Sequence, residues 1–143
     1  MKRFACVAFL LVLFFSACSA EEQTPTFPQE TLDYSKYQLT FQTKEISNDS
    51  VGKDWSFTYT YNGQTIQSGY EIIQSAGVFS FQSIDVEVRE KDKFDDVGNG
   101  TLTVAVCDGG SGKTQITVTE TNGCYKGNVA VWEISCQVNK SEE

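Results

Sequence analysis

Asp92, Asp95 and Asp96 fall within five positions of one another in the stretch "EKDKFDDVGNG", and Gly98 and Gly100 follow them. A hard cation such as Ca²⁺ takes about six to eight oxygen ligands from carboxylates and backbone carbonyls, so three Asp on one turn could supply several. A solvated acidic turn competes with that reading. Asp and Gly recur in turns for their backbone geometry, Lys91 and Lys93 partly neutralise the stretch, and the EF-hand spacing is absent. Turn geometry is the better supported of the two. Other chemistry is narrowed by composition. The chain has no His, which removes Ser-His-Asp and Cys-His catalysis and every His-based metal site. Carboxylate-pair hydrolysis survives, with Glu90, Asp92, Asp95, Asp96, Glu120 and Glu133 as candidate acids, but no evident cleft pairs them. No catalytic residue and no cofactor is therefore assigned.

The segment "CDGGSGKTQITVTE" contains "GGSGKT", which looks like the end of a phosphate-binding loop. That loop needs Gly-x-x-x-x-Gly-Lys-[Ser/Thr], with a strand before it and a helix after it. Counting back from Gly112-Lys113-Thr114, the first Gly position holds Cys107. Thr114 opens a strand pattern, so there is no helix N-terminus to hold a phosphate. The segment reads as a hairpin loop, and a nucleotide is not expected as a partner.

These residues must be positioned by strands. "WSFTYTY" alternates Trp55, Phe57, Tyr59 and Tyr61 against Ser56, Thr58 and Thr60, as a strand with one core face does. Asn62-Gly63 follows, a strong hairpin signal because both positions tolerate positive φ. "TLTVAV", "TQITVTET" and "VAVWEISC" alternate likewise, the last placing Ala130, Trp132, Ile134 and Cys136 on one face. No segment after residue 36 has a helical period. The pattern predicts an all-β antiparallel sandwich, Ig-like, of about seven strands at 37–46, 55–61, 64–73, 78–90, 101–107, 114–121 and 128–138. Phe79 and Phe81 have the opposite parity to Ile84, Val86 and Val88, which predicts a β-bulge or strand break near Gln82-Ser83. Cys136 is expected inward and Cys107 outward, with Cys124 at the other end of the sheet. Opposite faces of one sheet do not bridge, so no disulfide is expected.

The N-terminus sets the location. Lys2 and Arg3 precede the apolar run Phe4 to Phe15, which is shorter than the ~20 residues of a membrane span and has the flanks of a secretory signal. "FSAC" resembles the lipobox of bacterial lipoproteins. That resemblance implies a signal peptide at 1–17 and a diacylglyceryl thioether on Cys18, the mature N-terminus. Residues 18–36, holding both prolines and three Glu, read as a flexible linker. A sandwich domain at 37–138 and a polar tail at 139–143 complete the chain. Lys2 and Arg3 leave with the signal, so the mature chain is more acidic than the −8 of the whole sequence. That balance argues against nucleic acid and against lying flat on anionic lipid.

Two segments, "EKDKFDDVGNGTLTV" and "TETNGCYKGNVAVWEISCQV", resemble a motif pair of small, uncharacterised bacterial lipoproteins and secreted proteins. The matching positions are Asp92, Lys93, Phe94, Asp96 and Gly98, then Glu120, Gly123, Tyr125, Gly127, Asn128, Ala130 and Trp132. The resemblance implies no known activity. The Asp-rich turn also resembles the calcium loop of phospholipid-binding sandwich domains of the protein-kinase-C type, which draw Asp from at least two loops where only one is clear here. In an up-and-down meander, 91–100 and 122–127 would share an end with Asn62-Gly63. Lys126 could then reach the Asp cluster and Tyr125 could pack beneath it, so Tyr125, Lys126 and Gly127 are the loop and interaction candidates. The expectation is a lipid-anchored surface protein on the extracytoplasmic face of the envelope, its sandwich a non-catalytic binding module for a protein or glycan. A structural envelope lipoprotein and a small carboxylate hydrolase are the alternatives.

Overall fold

A computed structural model describes residues 33–92 and 94–142. The signal, Cys18, nearly all of the linker, and Lys93 lie outside the described residues. Among the described residues, eight strands follow in chain order: β1 (Tyr34–Asn48), β2 (Trp55–Tyr61), β3 (Gln64–Ile66), β4 (Glu71–Ser75), β5 (Ser80–Glu90), β6 (Asp96–Val106), β7 (Ser111–Thr119) and β8 (Val129–Lys140). They form two four-stranded antiparallel sheets, ordered β4-β1-β8-β7 and β3-β2-β5-β6. The fold is thus an all-β sandwich. β1 begins three residues before the expected domain start and β8 runs to Lys140, so both flanks are pulled into the sheet.

The inward positions read from the alternation meet between the sheets. Leu39, Ile84, Leu102, Val104, Ile134 and Cys136 are fully buried. Burying each such aliphatic side chain stabilises by about 1.5–3 kcal/mol. The two edges of the sandwich are built differently. Where β6 faces β7, glycines replace side chains: a Cβ on Gly98 would lie 2.5 Å from the Thr117 carbonyl oxygen, and one on Gly112 would strike the Thr103 carbonyl oxygen. At the other edge, rings fill the gap between β1 and β2. Phe41 stacks on Tyr59 at 4.1 Å and 8°, and Tyr61 meets Tyr70 edge-on at 6.0 Å. The sandwich is narrow at β6/β7 and wide at β1/β2.

Four expectations are corrected. β5 pairs with β6 without a register shift from Ser80↔Val106 to Glu90↔Asp96, so there is no bulge at Gln82-Ser83. Phe79 and Phe81 instead sit on the outer face, 57% and 65% exposed, and shield each other edge-on at 4.9 Å. The inward positions there hold polar groups that pair: the Tyr61 hydroxyl donates to Gln82 Oε1 at 3.0 Å, and Ser80 Oγ to Gln74 Oε1 at 2.7 Å. The bulge that does occur is in β1, between Glu45 and Ser47.

The expected strand 64–73 is two strands in different sheets. The chain crosses at Gln67–Tyr70, with Gly69 at φ 94° and its N–H bonded to the Leu39 carbonyl at 2.7 Å. This crossing reverses the count of ends. Trp55 pairs with Glu90, and β2 runs from there to Thr60 opposite Asp85, so Asn62-Gly63 points away from 91–95. "DGGSGK" is likewise a crossover between the sheets and not a hairpin, because β6 and β7 belong to different sheets. Its turn is closed by Gly110 N–H to the Cys107 carbonyl at 2.9 Å, and Ser111 opens a strand.

Candidate functional site

The turn at 91–95 and the loop at 120–128 do share an end, joined by Asp96. This residue is 3% exposed, and its Oδ1 accepts from the Thr121 N–H at 3.0 Å and the Thr121 hydroxyl at 2.6 Å. The other two carboxylates point elsewhere. Asp95 pairs outward with Arg89 at 3.0 Å, and Asp92 accepts the Phe94 N–H at 2.6 Å, closing its own turn. Asp92, Asp95 and Asp96 are therefore not brought together. Among the described residues, no group of three or more Cys, Asp or Glu side chains is placed to hold a metal ion. Lys126 is exposed and takes part in none of the ion pairs among the described residues, which join Arg89 to Glu87 and Asp95, and Lys113 to Glu133. Asp96 meets Thr121 in place of the expected Lys126.

Beside Asp96 lies a second buried acid. Glu90 is 3% exposed, and its side chain fills the space where Gly52 lacks a Cβ. Its Oε2 is buried without a hydrogen-bond partner. Burial pushes its carboxyl above the ordinary range, with Asp92 and Asp96 adding to the rise, while the backbone N–H groups of Asp54 and Lys53 oppose it. A raised folded-state value means that Glu90 contributes most stability below the ordinary glutamate range, a contribution lost as pH rises through the raised value. Glu90→Gln is accordingly expected to melt above wild type at neutral pH, with the difference closing in acid. Melting curves of both proteins across pH test this; parallel curves would show that Glu90 is not the strained acid.

Glu90 fixes the loop 49–54, which walls an open cleft of about 580 Å³ at this end of the molecule. Glu45, Asn48, Ser50, Lys53, Trp55 and Tyr125 line it together with Gly52. The volume lies within the ~300–1,000 Å³ usual for ligand sites. Each wall has a local cause. The β1 bulge ends the regular strand just after Glu45, whose Cα partner is Trp132, so Glu45 stands on the inner face of its sheet and is exposed there. Asn48 caps the loop: its Oδ1 accepts the Val51 N–H at 2.9 Å, and its Nδ2 donates to the Gly52 carbonyl at 2.9 Å and to Glu45 at 3.3 Å. Val51, 5% exposed, pins the loop to the core. Ser50 holds φ 65°, an uncommon conformation for a non-glycine residue that clusters at functional sites.

The floor is aromatic. Trp55 lies 5.3 Å from Trp132, and Phe57 meets Trp132 at 4.9 Å and 73°. The β2 rings expected to be core are half-buried on this open edge. The indole Nε1 atoms of Trp55 and Trp132 are both buried without a hydrogen-bond partner. Tyr125, expected beneath the Asp cluster, is 58% exposed and forms a wall of the cleft. Gly127, at φ 97°, closes the loop behind it with its N–H on the Glu120 carbonyl at 2.9 Å. The cleft residues Glu45, Asn48, Ser50 and Lys53 were not legible as a site in the sequence. The one available signal was the polar run "SNDSVGKD" between two strand patterns.

A larger cavity, of about 1,120 Å³, lies at the opposite end where the chain enters β1 and leaves β8. Its lining includes Asp33 and Glu142, the first and last described residues, and none of the aromatic pairs among the described residues lies in its lining. The thiols are dispersed: Cys124 is exposed on the 120–128 loop, Cys107 is half-buried, and Cys136 is buried with its value pushed up to about 11 by burial. Cys107 directly follows β6 and Cys136 lies in β8, strands of opposite sheets. No protein-family model matches the chain, and no curated protein matches it.

Proposed function

We propose that the chain is a lipid-anchored bacterial surface protein whose sandwich is a non-catalytic binding module. The observation that carries this reading is the position of the cleft. The chain enters β1 at Tyr34, and the cleft lies at the far end of that 15-residue strand, beside Asn48. At about 3.3 Å per residue, roughly 45 Å separate the two. The chain thus enters the domain at the end opposite the cleft, which leaves the cleft clear of the point where a tether would attach. Glu45 is the one carboxylate among the lining residues, whereas carboxylate hydrolysis uses a facing pair. The anchor is tested by Cys18→Ala in a bacterial host. The substitution is expected to abolish palmitate labelling and move the protein from the membrane to the soluble fraction. Unchanged labelling would overturn the anchor.

A further inference from the structure

Resting on the binding-module reading, we propose that the cleft takes a neutral oligosaccharide, stacked on Trp55 and Tyr125 and hydrogen-bonded through Glu45. The chemistry of the lining supports this class of ligand. Glu45 and Lys53 give the cleft one charge of each sign, within a chain of net charge −8. A polyanion would meet a single cation there, and a polycation a single anion. A sugar ring needs neither. Its C–H faces lie against aromatic rings, and its hydroxyls both donate and accept.

The unpaired groups match that ligand. The Glu45 carboxylate is exposed and has one protein donor, Asn48 Nδ2 at 3.3 Å, so it can accept from ligand hydroxyls. Asn48 already spends its amide on Val51 and Gly52, so it positions the loop and Glu45 more than it contacts a ligand. The indole Nε1 atoms of Trp55 and Trp132 are buried, so Trp55 offers a ligand its ring and not its N–H. The rings and the capped loop are already in place, which lowers the ordering cost of binding.

Both tryptophans of the chain lie in this cluster, so intrinsic emission reports on it directly. The experiment titrates the full chain, in a detergent free of sugar headgroups, with cellohexaose, chitohexaose and xylohexaose. Choline and heparin serve as cationic and polyanionic comparisons. The expected result is a saturable shift in tryptophan emission with at least one neutral hexasaccharide. Glu45→Ala, at an exposed position, is expected to weaken that binding by about ten-fold or more, as loss of a hydrogen bond to a charged group does. Trp55→Phe should keep an aromatic face, though a smaller one, and weaken binding less. Saturation by choline or heparin with no response to the neutral sugars would overturn the ligand class and leave a binding module standing. Silence with every probe would overturn the cleft as a binding site. Sugar binding undiminished in Glu45→Ala would overturn its placement there.

Discussion

Trp132→Ala is expected to lower the unfolding free energy by about 3 kcal/mol, at the lower end of the range for truncating a large aromatic side chain. Trp132 is the ring on which the wide edge closes: Trp55 at 5.3 Å and Phe57 at 4.9 Å both lean on it from the other sheet. Each such ring pair is worth about 0.5–1.5 kcal/mol beyond its buried area. Two facts hold the loss below the maximum. The side chain is partly exposed, and its N–H is buried without a partner, so deleting it also removes a penalty. Trp132→Phe keeps one aromatic ring but loses the N–H together with part of the indole volume, and should fall between alanine and wild type. Urea unfolding of the three proteins ranks them. An alanine variant that unfolds with wild type would mean that the ring is not structural. A loss of this size is a large fraction of the stability of a small domain, about 5–15 kcal/mol.

Gly98→Val should cost about 3 kcal/mol, and here the cause is crowding. A Cβ at position 98 would lie 2.5 Å from the Thr117 carbonyl oxygen and 2.9 Å from the Ile116 Cγ2. The Thr117 oxygen belongs to the backbone of β7, so relief requires the narrow edge to open. Overpacking a tight core typically costs about 1–3 kcal/mol, and the two further methyls of valine place this variant at the top of that range. Gly98→Ala should lose less, in the same direction. Gly63→Ala is the contrast: φ is 75° and nothing lies within 4 Å of its Cβ position, so its penalty is backbone strain alone, about 1–2 kcal/mol. Thermal melts rank the three. If Gly98→Val melts no lower than Gly63→Ala, the two edge strands are not held as closely as the glycines indicate.

Gly98 also shows what a sequence can and cannot convey. Its place after "DKFDDV" reads as turn chemistry, because a glycine needed for close approach and one needed for a turn leave the same letter. Only the facing carbonyl of Thr117, nineteen positions on, distinguishes them. The aromatic alternation of Trp55 to Tyr61 marked a strand correctly, yet its depth of burial depended on the facing strand. The inner side of β1 ends in Thr43 and Glu45, too small or too polar to cover the rings. Asp92, Asp95 and Asp96 were close in sequence and were dispersed by geometry. Alternation along the chain turns Asp95 and Asp96 to opposite sides, and Asp92 is spent on its own turn.

The sequence by itself determined the class of fold. Period-two alternation, the Asn62-Gly63 turn and the absence of a helical period are local properties, and each follows from backbone sterics and the burial of one face of a strand. Tertiary structure alone decided which strands share a sheet, because the crossings at Gln67–Tyr70 and at Cys107–Gly110 carry the same Gly-rich signals as hairpins. It also decided the candidate site. Glu45, Trp55 and Tyr125 come from three separate segments, and no spacing along the chain encodes their meeting. They meet because glycines let the sandwich close at β6 and β7 while rings hold it open at β1 and β2, and that contrast exists only once the two sheets face each other.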